Sequence, residues 1–343
     1  MRDVAVATGV SVATISLSLR NQPNVSEAVR ARVQAAAQRL GYQSNPYVSA
    51  LMRTRRTGGR TPPSPVLAVV HALVGTAGWK LHPSRTLRTI RAGLIQRATE
   101  LGYRAEEFTL ADPGMTPKRL SGILLARGIR GVMLGPLPDG APVPALDWDR
   151  FCVIRLGAPD ATQTMHTVSN DHYFSSLRIM QECRRLGYRR PGLILRASHQ
   201  EKFQGRWEAG FFEGQRRLAG FASTAPLFVE NLEDPALFPV AEFSRWLNAE
   251  RPDVILTLAP DLVERFLKQS GRSVPRQMGL ATLSAAGMSA RYSGIFQNGE
   301  LIGATACELL IARVERNSTG LPPHSIATMI EGVWNPGRTL RRQ

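Results

Sequence analysis

Beyond about position 65 one pattern recurs: a short, almost wholly apolar run, then a longer stretch whose apolar residues fall at helical spacing. The runs are "VLAVVHALV", "GVMLGPL", "FCVIRLG", "PGLILR", "APLFVE", "DVILTLA" and "MGLATLS". A strand that is apolar on both sides must be covered on both faces, and a parallel sheet between helices provides that cover. Helical patterns occupy 84–102, 116–128, 173–187, 204–220, 239–249, 262–270 and 299–316. Several end in Gly directly before the next run, as in "ELGYRAEEF" and "RLGYRRPGLIL", where a left-handed residue stops the helix. The pattern predicts an α/β fold with right-handed crossovers. About ten strands fit two linked lobes better than one open sheet.

The chain has 343 residues, with 43% hydrophobic and 20% charged, which excludes wholesale disorder. Its three cysteines, Cys152, Cys183 and Cys307, are too few and too scattered for a disulfide framework or a metal-ligand spacing, so a reducing cytoplasm is expected. No secretory leader and no apolar run long enough to span a membrane is present, and neither membrane nor cofactor enters the expectation. The net charge is +16, and 39 of the 43 basic residues are Arg. That charge predicts attraction to polyanions, although an Arg bias equally follows from genome base composition.

The charge is concentrated at the start. Residues 1–60 hold nine Arg against Asp3 and Glu27. The segment "TRRTGGRTPPSP" reads as an exposed linker, because Gly and Pro forbid regular structure and like charges repel. Before it, "DVAVATGVSVATISLSLRN" holds two helical patterns broken at Gly9-Val10-Ser11. Gly9 relieves the tight turn, Ser11 caps the second helix, and the small Ala5, Ala7 and Ala13 permit close helix approach. Val4, Val10, Ile15 and Leu19 are the expected shared core. A third helix, capped by Ser26, carries Val29, Val33, Ala36, Ala37 and Leu40 at helical spacing. This is a helix-turn-helix pattern, and a generic three-helix cap would share it. "SNPYVSALMRTRR" then offers a short helix that is marginal alone and makes sense if it orders on a DNA minor groove; a plain linker helix is the alternative.

From "DVAVATGVSVATIS" through "NVSEAVRARVQAAAQRLGYQSNPYVSAL" and on through the α/β body, the chain resembles the lactose-repressor (LacI/GalR) family of bacterial transcription regulators. The resemblance implies a DNA-binding domain at 1–45, a hinge helix and linker at 46–64, and a ligand-binding, dimer-forming body at 65–343. It makes 12–20 the recognition helix, with Val12, Ala13 and Leu17 facing base edges beside the capping Ser11. It makes Leu51 the residue that wedges between base steps. Thr14, Ser16, Arg20 and Asn24 are candidate phosphate or base contacts, and each is equally an ordinary exposed polar residue. The family usually has Arg at the position of Leu17, and Leu offers only apolar contact to a thymine methyl or a sugar. It also usually has Arg at Ser49, a charge that Arg53, Arg55 and Arg56 supply from just downstream.

The resemblance implies a body like the type I periplasmic binding proteins, with a ligand cleft between two lobes. The first lobe is expected at 65–168 and 297–320. The second is expected at 169–296 and 321–343, with crossings near 168–171 and 295–298 and a final strand near 326–331 in the second lobe. Candidate effector contacts are His71, Asp171, Arg206, Trp207, Asp261 and Gln297. Asp171 and Asp261 equally suit helix starts, Gln297 could merely satisfy backbone at a crossing, and a lone His is more often structural. Measured against the family's sugar-binding pattern, Trp207 stands where its Arg is usual, Pro260 where Asn is usual, and Leu283-Ser284 where an acidic pair is usual. These departures point to a ligand less hydroxylated than a standard sugar, or to none.

No Gly-x-Ser-x-Gly, Gly-x-Gly-x-x-Gly, Gly-Lys-Ser/Thr or His-Glu-x-x-His string occurs, so catalysis is not expected. The resemblance implies a cytoplasmic, nucleoid-associated bacterial regulator. It would act as a homodimeric repressor on a pseudo-palindromic duplex operator, under a small-molecule effector whose identity, sugar-related or not, is left open. The rival reading is a solute-binding sensor without specific DNA binding.

Overall fold

A computed structural model describes residues 2–19, 25–40, 64–73, 79–82, 84–158, 163–285, 287 and 291–343. The chain forms two compact units, Met1–Pro63 and Ser64–Gln343.

The first unit contains α1 (Arg2–Thr8), α2 (Val12–Ser18) and α3 (Glu27–Arg39). Gly9 has φ +68, a left-handed turn that a side chain would strain, and its N–H donates to the Ala5 carbonyl at 2.8 Å. Ser11 is extended, and its hydroxyl accepts from the Thr14 N–H at 3.1 Å, which starts α2 one residue later. Val4, Ile15 and Val33, each fully buried, bring one residue from each helix to a common core, with Ala36 and Ala37 filling it. Val10, Leu19 and Val29 pack at its edge. Three expectations differ. Ala7 and Ala13 are exposed, because the helices meet through larger side chains. Leu40 falls past the end of α3 and is 47% exposed. Ser26 takes the cap position of α3 without making the side-chain bond.

The second unit holds two six-stranded sheets. The first is ordered β11-β5-β4-β3-β1-β2 and wholly parallel, from β1 (Val66–His71), β2 (Arg104–Thr109), β3 (Gly131–Leu134), β4 (Cys152–Leu156), β5 (Thr167–Asn170) and β11 (Ala327–Ile330). The second is ordered β12-β10-β9-β8-β6-β7, from β6 (Pro191–Arg196), β7 (Leu227–Val229), β8 (Val254–Thr257), β9 (Gly279–Thr282), β10 (Ser293–Phe296) and β12 (Val333–Asn335). Only β12 in that sheet is antiparallel to its neighbour.

The central strands are mainly apolar because both their faces are covered. Leu67, Val69 and Met133 pack with α4 (Arg85–Glu100) and α11 (Gly299–Glu315) through Leu94, Ile302 and Leu310. Ala68, Val70 and Val132 pack on the other side with Leu120 and Leu124 of α5 (Pro117–Ala126). In the second sheet Ile194, Ile255 and Leu280 meet Phe243 of α9 (Val240–Glu250) and Phe266 of α10 (Pro260–Gln269). Leu193, Leu195 and Leu256 meet Ile179 of α6 (His172–Leu186) and Phe211 of α8 (Arg206–Arg217). A short α7 (Ala197–Lys202) continues directly from β6.

The chain passes between sheets after β5, after β10 and after β11. The strand expected in the second lobe near 326–331 is β11, and it pairs with β5 in the first sheet instead, Thr328 opposite Val168. The reason is geometric. α11 packs on β4, β3 and β5 of the first sheet, so the chain that leaves it is delivered to the free edge beside β5. It is β12 that returns to the second sheet.

Candidate functional site

Two regions carry chemistry that packing does not consume. The first is the amino-terminal turn of α2. Ile15 and Ser18 face the interior, Ser18 donating to the Thr14 carbonyl at 2.8 Å, while Ser11, Val12 and Ala13 are exposed and Thr14 and Leu17 are half-buried. Val12 keeps 44% of its surface. The core residues of α2 therefore leave its first turn outward within this unit, with small apolar tips presented together. Ser16 lies in α2, but its side chain is outside the described residues, as are Arg20, Asn24, Leu51, Arg53, Arg55 and Arg56.

The second region is the cleft where the carboxyl ends of the strands of both sheets converge. Arg206, at the start of α8, reaches from the second lobe to the first, its Nη1 lying 3.7 Å from Met329 Sδ on β11, while its Nε has no partner. Next to it His172 is 5% exposed and stacks at 4.6 Å on Phe203 and at 4.7 Å, edge-on, on Trp207. Burial, helped by the Arg206 charge, pulls His172 down to about 3, so the imidazole is neutral. Its Nδ1 and the Trp207 indole Nε1, both buried, have no partner.

The other candidates are held by local partners. His71 is buried at the end of β1. Its Nδ1 accepts from the Leu73 N–H at 3.3 Å, and its Nε2 lies 3.7 Å from Glu107, which Arg91 also holds. The neighbouring His71, with Arg91, keeps the Glu107 carboxyl below its ordinary range. Asp171 caps α6, accepting from the Phe174 N–H at 3.0 Å. Asp261 is exposed on α10 and accepts from Tyr292 Oη at 2.9 Å; the same hydroxyl lies 2.7 Å from Glu264. Gln297 donates to the Leu283 carbonyl at 3.1 Å, satisfying backbone at the crossing.

The sequence reading did not single out the strongest polar contact between the lobes. Asp139, in the loop after β3, receives Arg196 Nη2 from the last residue of β6, Ser198 Oγ at 2.9 Å and Lys202 Nζ at 2.6 Å. Arg196 also donates to Glu233 at 3.1 Å. Burial, with Arg196 alongside, pulls Lys202 below the usual lysine range. Farther along the cleft Thr86 Oγ1 and Ser284 Oγ share a 2.8 Å hydrogen bond between lobes. The available signal was Arg196 itself, a charge closing an otherwise apolar strand at the end that faces the cleft.

Residues 1–45 match the family described as bacterial regulatory proteins, lacI family. The matched segment is the helix-turn-helix unit that holds α1 to α3. The chain is similar to the HTH-type transcriptional regulator CelR of Thermobifida fusca, 27% identical over 345 residues and covering 92% of each chain. Two solved structures share the fold. A transcriptional regulator CelR-cellobiose complex is 22% identical with a TM-score of 0.61, covering 98% of each chain. A lac repressor dimer bound to operator and the anti-inducer ONPF is 18% identical with a TM-score of 0.57, covering 99% of this chain and 98% of that one. Like these relatives, this chain joins a helix-turn-helix unit to two lobes built on mainly parallel sheets.

Proposed function

We propose that this protein is a transcriptional repressor of the LacI family. In this reading it binds a pseudo-palindromic operator as a homodimer and is controlled by a small molecule in the cleft between its lobes. The observation that carries the reading is the outward first turn of α2: Ser11, Val12 and Ala13 stand clear of the core formed by Val4, Ile15 and Val33. A helix fixed from behind and bare in front is what major-groove reading requires. Its small apolar tips suit thymine methyls, while Thr14 and the Arg-rich segment grip phosphates. Two-fold symmetry of the protein matches two half-sites. Leu51 wedges the minor groove, bending the site.

Arg206 reaches from the second lobe to Met329 of the first, so a molecule bound beside it couples lobe orientation to DNA affinity, and the coupling is reciprocal. The relative complexed with cellobiose makes a sugar-related molecule one class to test.

A mobility-shift titration tests the reading. A duplex selected from a random pool binds far more tightly than scrambled duplex of equal length, and Leu51→Ala weakens the selected complex by tenfold or more while leaving the scrambled one nearly unchanged. Equal binding of both duplexes at every salt concentration would falsify the regulator reading and leave a solute-binding sensor.

A further inference from the structure

Asp139 belongs to the first lobe, yet the three side chains holding it, Arg196, Ser198 and Lys202, belong to the second. Two cations and a hydroxyl converging on two carboxylate oxygens form an oxyanion receptor, with the forked guanidinium supplying direction and the ammonium supplying charge. The receptor has more donors than Asp139 uses. Arg196 Nε is buried without a partner, and its second acid, Glu233, is 75% exposed. His199, on the same short α7, has an unpartnered buried Nδ1.

The unfilled capacity continues into the cleft. The Phe203 ring stacks against His199 at 5.5 Å and His172 at 4.6 Å, linking the receptor to Arg206. Among the described residues Arg206 meets the Met329 thioether and no carboxylate, and its Nε is open. His172 Nδ1 and Trp207 Nε1, on side chains more than nine-tenths buried, are likewise unpartnered. Buried donors left open are costly, and a ligand that satisfies them recovers that cost. Both imidazoles are neutral, drawn down by burial and by the adjacent cations, so the positive charge of the site rests on Arg196, Lys202 and Arg206.

We propose that Asp139 is a built-in occupant of an anion site, and that the cleft's ligand carries a phosphate or carboxylate group which displaces it from Arg196, Ser198 and Lys202. This deepens the effector reading above and rests on it. The rest of the ligand lies along Phe203 towards Arg206. Displacement exchanges a contact between lobes for a contact to ligand, so binding releases the first lobe from the second at this point.

Calorimetric titration and thermal melts of the full chain test the exchange. The probes are inorganic phosphate, glucose 6-phosphate and citrate, with cellobiose as the neutral control, against wild type, Asp139→Asn and Lys202→Gln. At least one anionic probe raises the melting temperature, and comparing the phosphate and citrate arms identifies which group the site takes. Removing the internal competitor tightens that probe about tenfold in Asp139→Asn. Lys202→Gln weakens it by a similar factor. Cellobiose distinguishes none of the three proteins. The melts confirm that each variant is folded. Absence of anion binding by Asp139→Asn, or one affinity shared by all three proteins, overturns the proposal. Cellobiose binding alongside either result leaves the effector reading standing, whereas equal affinity for selected and scrambled duplex sinks the regulator reading without touching the anion data.

Discussion

His172 illustrates how position decides chemistry. At the start of α6 it is buried against Phe203 and Trp207 beside Arg206, and its folded pKa of about 3 lies below the ordinary 6.5. Between those values the unfolded chain binds a proton that the folded chain refuses. The stability tied to His172 is therefore full above pH 6.5 and is lost as pH falls towards 3. The loss between pH 6.5 and 4 is roughly 3 kcal/mol. Urea unfolding of His172→Phe across that range is expected to show a correspondingly shallower decline than wild type; parallel curves would mean that His172 is not buried neutral. The sequence allowed the helix-capping role of Asp171, one residue earlier, because a cap depends on neighbours along the chain. It gave no sign of the Asp139–Arg196 contact. That pairing joins loops of different lobes, and no local pattern encodes it.

Helices α4 and α11 come closer than ordinary side chains allow, and glycine is the reason. A Cβ on Gly303 would overlap the Ile90 carbonyl oxygen, and one on Gly93 would overlap the backbone of Glu300. Neither obstacle is a side chain that can turn away. Gly303→Ala should therefore destabilise the second unit by about 1–3 kcal/mol through overpacking, even though Ala is the better helix former. The urea midpoint of that unit reads the change, and an unchanged or raised midpoint would show that the helices part freely. The elements themselves were readable beforehand wherever both faces of a strand are covered: "VLAVVH" and "DVILTL" announce β1 and β8 because burial on both faces keeps them mainly apolar. The edges were harder. β11 is half-exposed, and its sheet assignment follows from where α11 lies beneath β3 and β4, a tertiary fact. β12 has three residues and an exposed Val333, too little for any periodicity.

Charge joins what packing divides. The net charge of +16 attracts any duplex, so affinity alone says little about recognition; its salt dependence and its dependence on sequence separate two contributions. Each phosphate neutralised adds about 0.9 to the slope of log K against log salt, whatever the bases. Residues 1–60 carry nine Arg, while the exposed turn of α2 carries Val12 and Ala13, which have no charge to contribute. On the proposed reading, phosphate grip and base reading fall on different side chains and respond differently to substitution. Arg55→Gln should lower the slope by about 1 and weaken selected and scrambled duplexes alike. Val12→Ser should leave the slope intact and lower only the preference for the selected duplex, by about 1 kcal/mol or more. Salt titrations of both variants on both duplexes check this. A Val12→Ser protein whose slope falls like that of Arg55→Gln would place α2 on the phosphate backbone rather than in the groove.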